Sequence, residues 1–150
     1  MISLNYTMLS GKKRLALLNA SITLFILFIF TSLTHTEFIL PPFIATAATK
    51  YPDPDWRFNR SLSIVSSYIT AAIIAVIFSF IGLTNLLFAI IASLITLTIE
   101  LIGNIEHPPS LLTTFLGVIS KVDVIYIIHP VLIGILLEEF INFVITKSLD

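Results

Sequence analysis

Apolar residues in this chain run in long blocks and do not alternate with polar ones. Four blocks, residues 15–33, 61–81, 86–102 and 124–145, are close to the length of a membrane-crossing helix, which needs ~20 apolar residues to cross a ~30 Å hydrocarbon layer. Positions 61–99 contain no charged residue and are too long for one crossing, so Gly82-Leu83-Thr84-Asn85 is the expected turn of a tight hairpin. Two shorter apolar stretches, 43–49 and 110–120, each follow a proline pair, Pro41-Pro42 and Pro108-Pro109. The last block is expected to kink at His129-Pro130, where the ring removes a backbone donor.

The proline pairs organise the pattern. Glu106-His107-Pro108-Pro109 and Glu37-Phe38-Ile39-Leu40-Pro41-Pro42 each bring a carboxylate and a break into an apolar setting. Two prolines in a row bar a continuous helix. Non-helical backbone at membrane depth is tolerated where protein or a water-filled cavity covers it, and ionisable groups there are functional candidates. Residues 37–41 extended cover about 16 Å and 42–49 as helix about 12 Å. Residues 106–109 extended give about 13 Å and 110–120 as helix about 16 Å. Each segment can thus cross as half strand and half helix.

Positive charge favours that crossing. If both proline segments cross, Lys12, Lys13, Arg14, Lys50, Arg57, Arg60 and Lys147 share one side, with only Lys121 opposite. If both re-enter, the basic residues split evenly. The positive-inside rule selects the first arrangement, with both termini cytoplasmic in a multi-pass cell-membrane protein. The expected fold class is all-α integral membrane: six membrane segments in one domain, 1–150, as a 3+3 inverted repeat. Repeat 1 spans about 15–81 and repeat 2 about 86–146, two segments being broken at Pro-Pro. This is a build found in many secondary transporters. The alternative is that proline pairs recur by chance and mark surface loops. The Lys12–Arg14 triplet before an apolar run also fits a secretory signal, but no small-x-small cleavage site follows.

Composition agrees. The 150 residues are 57% hydrophobic and only 11% charged, with mean hydropathy +1.03; a soluble domain is about a quarter charged. A net charge of −1 gives no field for nucleic acid, and the lack of cysteine removes disulfides and thiolate chemistry. His35, His107 and His129 share no helical spacing and no H-E-x-x-H is present, so neither a metal nor a cofactor is expected. The short chain suggests a homo-oligomer.

The string Leu40-Pro41-Pro42-Phe43-Ile44-Ala45-Thr46-Ala47, the stretch Arg57-Phe58-Asn59-Arg60 before a span, and Glu106-His107-Pro108-Pro109 together resemble the HPP family of integral membrane proteins. The resemblance runs from about Phe38 to the C-terminus. It departs where Ser110-Leu111-Leu112-Thr113-Thr114 replaces the family's small residues, and where a Gly and a His are absent around Val65-Ser66. Some members are associated with nitrite transport, so the resemblance implies transport of a small anion.

The residues suggest how. Pro42 and Pro109 suit the first turn of a helix, and the free amides of that turn make an anion site. Pro41, Pro42, Thr46, His107, Pro108, Pro109, Ser110, Thr113 and Thr114 are therefore the candidate substrate contacts. Glu37, Glu100, Glu106 and His107 are candidates for proton coupling, since ionised carboxylates would repel an anion. The bland counterpart is that Glu37 and Glu106 cap those amides and the breaks are structural. Small residues on one face, Ser63, Ser66, Ser67 and Thr70, then Ala89, Ala92, Ser93, Thr96, Glu100 and Gly103, read first as close helix packing and second as a pore lining. Glu138 and Glu139 are expected to be interfacial, snorkelling toward the cytoplasm, with a cavity-facing position as the alternative. The leading reading is a transporter or channel for a nitrite- or nitrate-like anion, with proton coupling as an option. A non-transporting structural or regulatory membrane subunit is the alternative. An intramembrane enzyme lacks a nucleophile or metal set and is not expected.

Overall fold

The computed structural model describes residues 11–35, 41–49 and 58–148. Among them there are six α-helices and no strand: α1 (Gly11–Thr34), α2 (Pro41–Thr49), α3 (Phe58–Phe80), α4 (Leu86–Gly103), α5 (Pro108–Ser120) and α6 (Ile133–Ser148). Among the described residues, four stretches are long and apolar enough to cross a membrane: Leu17–Thr34, Ser61–Phe80, Leu86–Gly103 and Ile127–Ile145. Helices satisfy their backbone groups internally, the condition a lipid environment imposes. At ~1.5 Å per residue, α2 and α5 reach only about 14 and 20 Å, too short to cross as helices alone.

The breaks have local causes. Gly82, at φ +79°, turns the chain between α3 and α4, and the Asn85 side chain accepts from the Phe88 amide at 3.1 Å to cap α4. Asn104 ends α4 and Lys121 ends α5, both in the left-handed region. Both short helices start at the first proline of their pair, Pro41 and Pro108, one residue before the positions expected. Neither of the first two helical residues needs its N–H, so the ring fits both. The expected break at His129-Pro130 is present: His129 is extended (φ −135°, ψ 117°) within a wide turn, Ile127–Leu132, that leads into α6.

One core cluster joins Leu27, Phe43, Ile64, Tyr68, Ala72, Val131 and Ile135, from α1, α2, α3 and the α6 region. A second joins Ala75 of α3, Ala89 and Ala92 of α4, and Val118 of α5. The small-residue stripe of α4 is thus packed inward: Ala89, Ala92, Thr96 and Glu100 are its buried positions. Close approach is built on absent side chains. A Cβ on Gly117 would lie 2.7 Å from the Ala75 Cβ. Glu138 and Glu139 do not snorkel; they are 1% and 6% exposed. α6 carries them on the same stripe as Ile135 and Asn142, which packs against other helices.

Candidate functional site

The Pro-Pro start of α5 lies against α2. His107, the residue capping α5, is extended (φ −141°, ψ 98°). Its Nε2 lies 2.8 Å from Thr46 Oγ1, in the second turn of α2. Thr46 Oγ1 is also 2.7 Å from the Tyr68 hydroxyl of α3, which donates to the Pro42 carbonyl at 2.7 Å. One proton arrangement satisfies all three contacts. Tyr68 gives its only proton to Pro42, so Thr46 donates to Tyr68, and His107 Nε2–H donates to Thr46. The Tyr68 ring stacks on Phe43 at 5.4 Å and sits 5.9 Å from the His107 ring. Phe43, Thr46 and Tyr68 are fully buried, so the Thr46–Tyr68 end of this link sits where a hydrogen bond is costly to lose, while His107 is half-buried.

The amino end of α5 is served by Glu100. Ser110 Oγ donates to Glu100 Oε1 at 2.6 Å, and the His107 amide points to Oε2 at 3.4 Å. Ser110 Oγ also lies 2.6 Å from the His107 carbonyl. A carboxylate at a helix N-terminus is favourable both as a hydrogen-bond acceptor and against the helix dipole. Glu100 is fully buried. The capping role that the sequence allows for Glu106 is therefore held by a residue of α4, six positions upstream. Glu106 is exposed on the groove side.

A groove of about 500 Å³ opens beside the break, lined by Glu106, His107, Pro108 and Pro109, by Ala45 of α2, and by Ser63 of α3, among others. The predicted site residues divide around it. His107, Pro108 and Pro109 line it, while Pro42 and Thr46 stand behind His107 in the hydrogen-bonded link. Ser110 and Glu100 form the cap beneath. Thr114 is turned into the packing, donating to the Ala71 carbonyl at 3.0 Å and lying 2.9 Å from Thr96 Oγ1. Thr113 is fully buried, and its hydroxyl has no hydrogen-bond partner among the described residues. Pro41 is exposed. Glu37 lies outside the described residues. Tyr68 was missed as a site residue; the available signal was a hydroxyl-bearing ring in the middle of a charge-free span. No group of three or more metal-ligating side chains occurs among the described residues.

No curated protein and no solved structure matches the chain. A family model described as HPP, transmembrane region, matches residues 9–149. That match takes in the Pro-Pro helices, the His107 link and all four apolar spans, and the chain belongs to the HPP family of transmembrane proteins.

Proposed function

We propose that this multi-pass membrane protein carries a small monovalent inorganic anion, of the nitrite or nitrate kind, through the groove beside His107. The observation that supports this most is the groove itself: it joins the Glu106–Pro109 break to α2 and α3 at one point. Its wall includes an imidazole oriented by Thr46. In this reading, α1–α3 and α4–α6 are two inverted halves, α2 and α5 are the helical parts of broken crossings, and both termini face the cytoplasm. A homo-oligomer is part of the same proposal, and catalysis is not.

Proton coupling follows from the charge at the cap. With Glu100 ionised, the α5 end already has its anion, and a second anion is repelled. With Glu100 protonated, the same end can attract the cargo. Glu106 and His107, at the groove, are the groups through which a proton would reach it. One observation favours a second reading, a structural or regulatory subunit: Glu100 already serves the amino end of α5. Uptake into proteoliposomes separates the two. Nitrite, nitrate, formate and chloride are offered with and without a pH gradient. Flux of one or more anions, lost in His107→Ala with the fold intact, is the expected result. Absence of flux for every ion leaves the subunit reading standing.

A further inference from the structure

Away from the groove beside His107, α3 and α6 leave a crevice between them. The Ser61 hydroxyl of α3 donates to the Glu139 carboxylate of α6. Both residues are buried, and their contact forms the crevice floor. Leu62 and Val65 make one wall, and Leu136, Phe140 and Phe143 the other. The cavity measures about 570 Å³, within the ~300–1,000 Å³ of sites that hold a small molecule. Its surface is almost wholly apolar, since the Glu139 carboxylate is turned to Ser61.

Three features select its occupant. The first is depth. Ser61 is the first residue of its apolar span and Ile145 the last residue of the other, so the crevice lies near one membrane surface. From Leu136 to Phe143, α6 rises about 10 Å at ~1.5 Å per residue, most of the depth of one leaflet in a ~30 Å core. The second is the lining. Helices that pack together in lipid meet through small residues, as α3 and α5 do at Ala75 and Gly117. Here the walls are Leu, Val and Phe, and Leu62, Leu136 and Phe140 are exposed. That surface fits a flexible hydrocarbon chain and keeps a second helix backbone at a distance. The third is charge. Lys147, two residues past the end of the span, holds its ammonium 5.6 Å from the centre of the Phe143 ring. Phe143 belongs to the crevice wall, so a cation stands at the mouth, at the level of lipid headgroups.

We propose that the α3–α6 crevice binds an acyl chain of an anionic phospholipid whose headgroup pairs with Lys147. The site is separate from the groove and stands whether or not an anion passes there. The test uses the purified full-length chain in detergent, with phosphatidylglycerol or phosphatidylcholine of the same acyl chains added. Native mass spectrometry counts the lipids retained, and the thermal unfolding midpoint is followed in parallel. One phosphatidylglycerol per chain is expected to be retained and to raise the midpoint by several degrees, since a ligand that binds only the folded state stabilises it. Lys147→Gln is expected to weaken that binding about fivefold, to the level of phosphatidylcholine, the scale of one lysine at a membrane surface. Leu62→Trp fills the crevice from its exposed wall and is expected to abolish retention of both lipids. Should Leu62→Trp fail to fold, Lys147→Gln carries the test, because its side chain is exposed beyond the span. Equal retention of the two lipids by the native chain overturns the site, as does undiminished phosphatidylglycerol binding in either variant. A lipid-free native dimer that Leu62→Trp splits also overturns it, and gives the crevice to a second copy of the chain.

Discussion

Thr46 Oγ1 and His107 Nε2 lie 2.8 Å apart across 61 residues of chain. That contact joins the two Pro-Pro helices, and Tyr68 anchors it by bonding both Thr46 and the Pro42 carbonyl. It makes His107 an oriented group with a defined N–H direction. The first prediction concerns this link. Thr46→Val keeps volume and removes the hydroxyl, and is expected to lower anion uptake by about tenfold, on the scale of one lost buried hydrogen bond of ~1–1.5 kcal/mol. Thr46→Ser should retain most uptake. Initial rates in proteoliposomes, normalised to folded protein, check both; equal rates in all three proteins would detach the link from transport.

Tyr68→Phe tests the anchor. The ring and its stacking on Phe43 remain, while the Pro42 carbonyl and Thr46 lose their partner. A buried group left without its hydrogen bond costs about 1–3 kcal/mol. The thermal midpoint should fall by several degrees, and uptake should fall at least as far as in Thr46→Val. An unchanged midpoint would mean that the hydroxyl is not bonded as described.

Glu100 gives a prediction that separates charge from shape. Glu100→Gln keeps the shape and one of the two acceptor oxygens, so that only one of Ser110 Oγ and the His107 amide retains its partner, and removes the titrating charge. Under the transport reading, uptake driven by a pH gradient is lost while anion exchange at equal pH persists. Glu100→Leu removes the acceptor as well and is expected to destabilise the fold by about 1–3 kcal/mol. A Glu100→Gln protein that still concentrates the anion in response to pH would take this residue out of the coupling.

Packing around Gly117 offers a test of the helix arrangement alone. A Cβ there would sit 2.7 Å from Ala75 Cβ, and neither atom can swing away because both are fixed to backbone. Gly117→Ala is expected to cost about 1–3 kcal/mol, the usual penalty for overpacking. Adding Ala75→Gly should recover part of that loss. No recovery in the double variant would mean that α3 and α5 do not meet at this point.

Orientation is open to direct labelling. Single cysteines at Asp55, Thr84 and Asp123, in a chain with no native cysteine, are probed with a membrane-impermeant reagent in intact cells. Positions 84 and 123 should react from outside, and position 55 only after lysis. Reaction of position 55 in intact cells would reverse the proposed topology.

Much of the architecture was legible from the sequence because it follows from local facts. A run of about twenty apolar residues in lipid must be helical, since the backbone has no other partner. Gly82 and Asn85 announce the turn by their conformational and capping preferences, and a proline pair bars a helix from running through it while suiting the first turn of the next one. The short helices that begin at Pro41 and Pro108, and the break at His129-Pro130, are of this kind. His107 and the proline pairs, which stand at the candidate site, are conspicuous in apolar surroundings for the same reason.

What tertiary structure decided was pairing. No local rule says that Glu100, and not Glu106, reaches the amino end of α5, because that depends on how α4 lies beside it. Nor does any rule bring Tyr68 to Pro42 or Asn19 to Asn142, partners 26 and 123 residues apart. Residue spacing tells which side chains share a face of one helix. Which face meets which is a matter of packing among helices, where small residues such as Gly117 and Ala75 permit approach and the buried polar atoms must find one another.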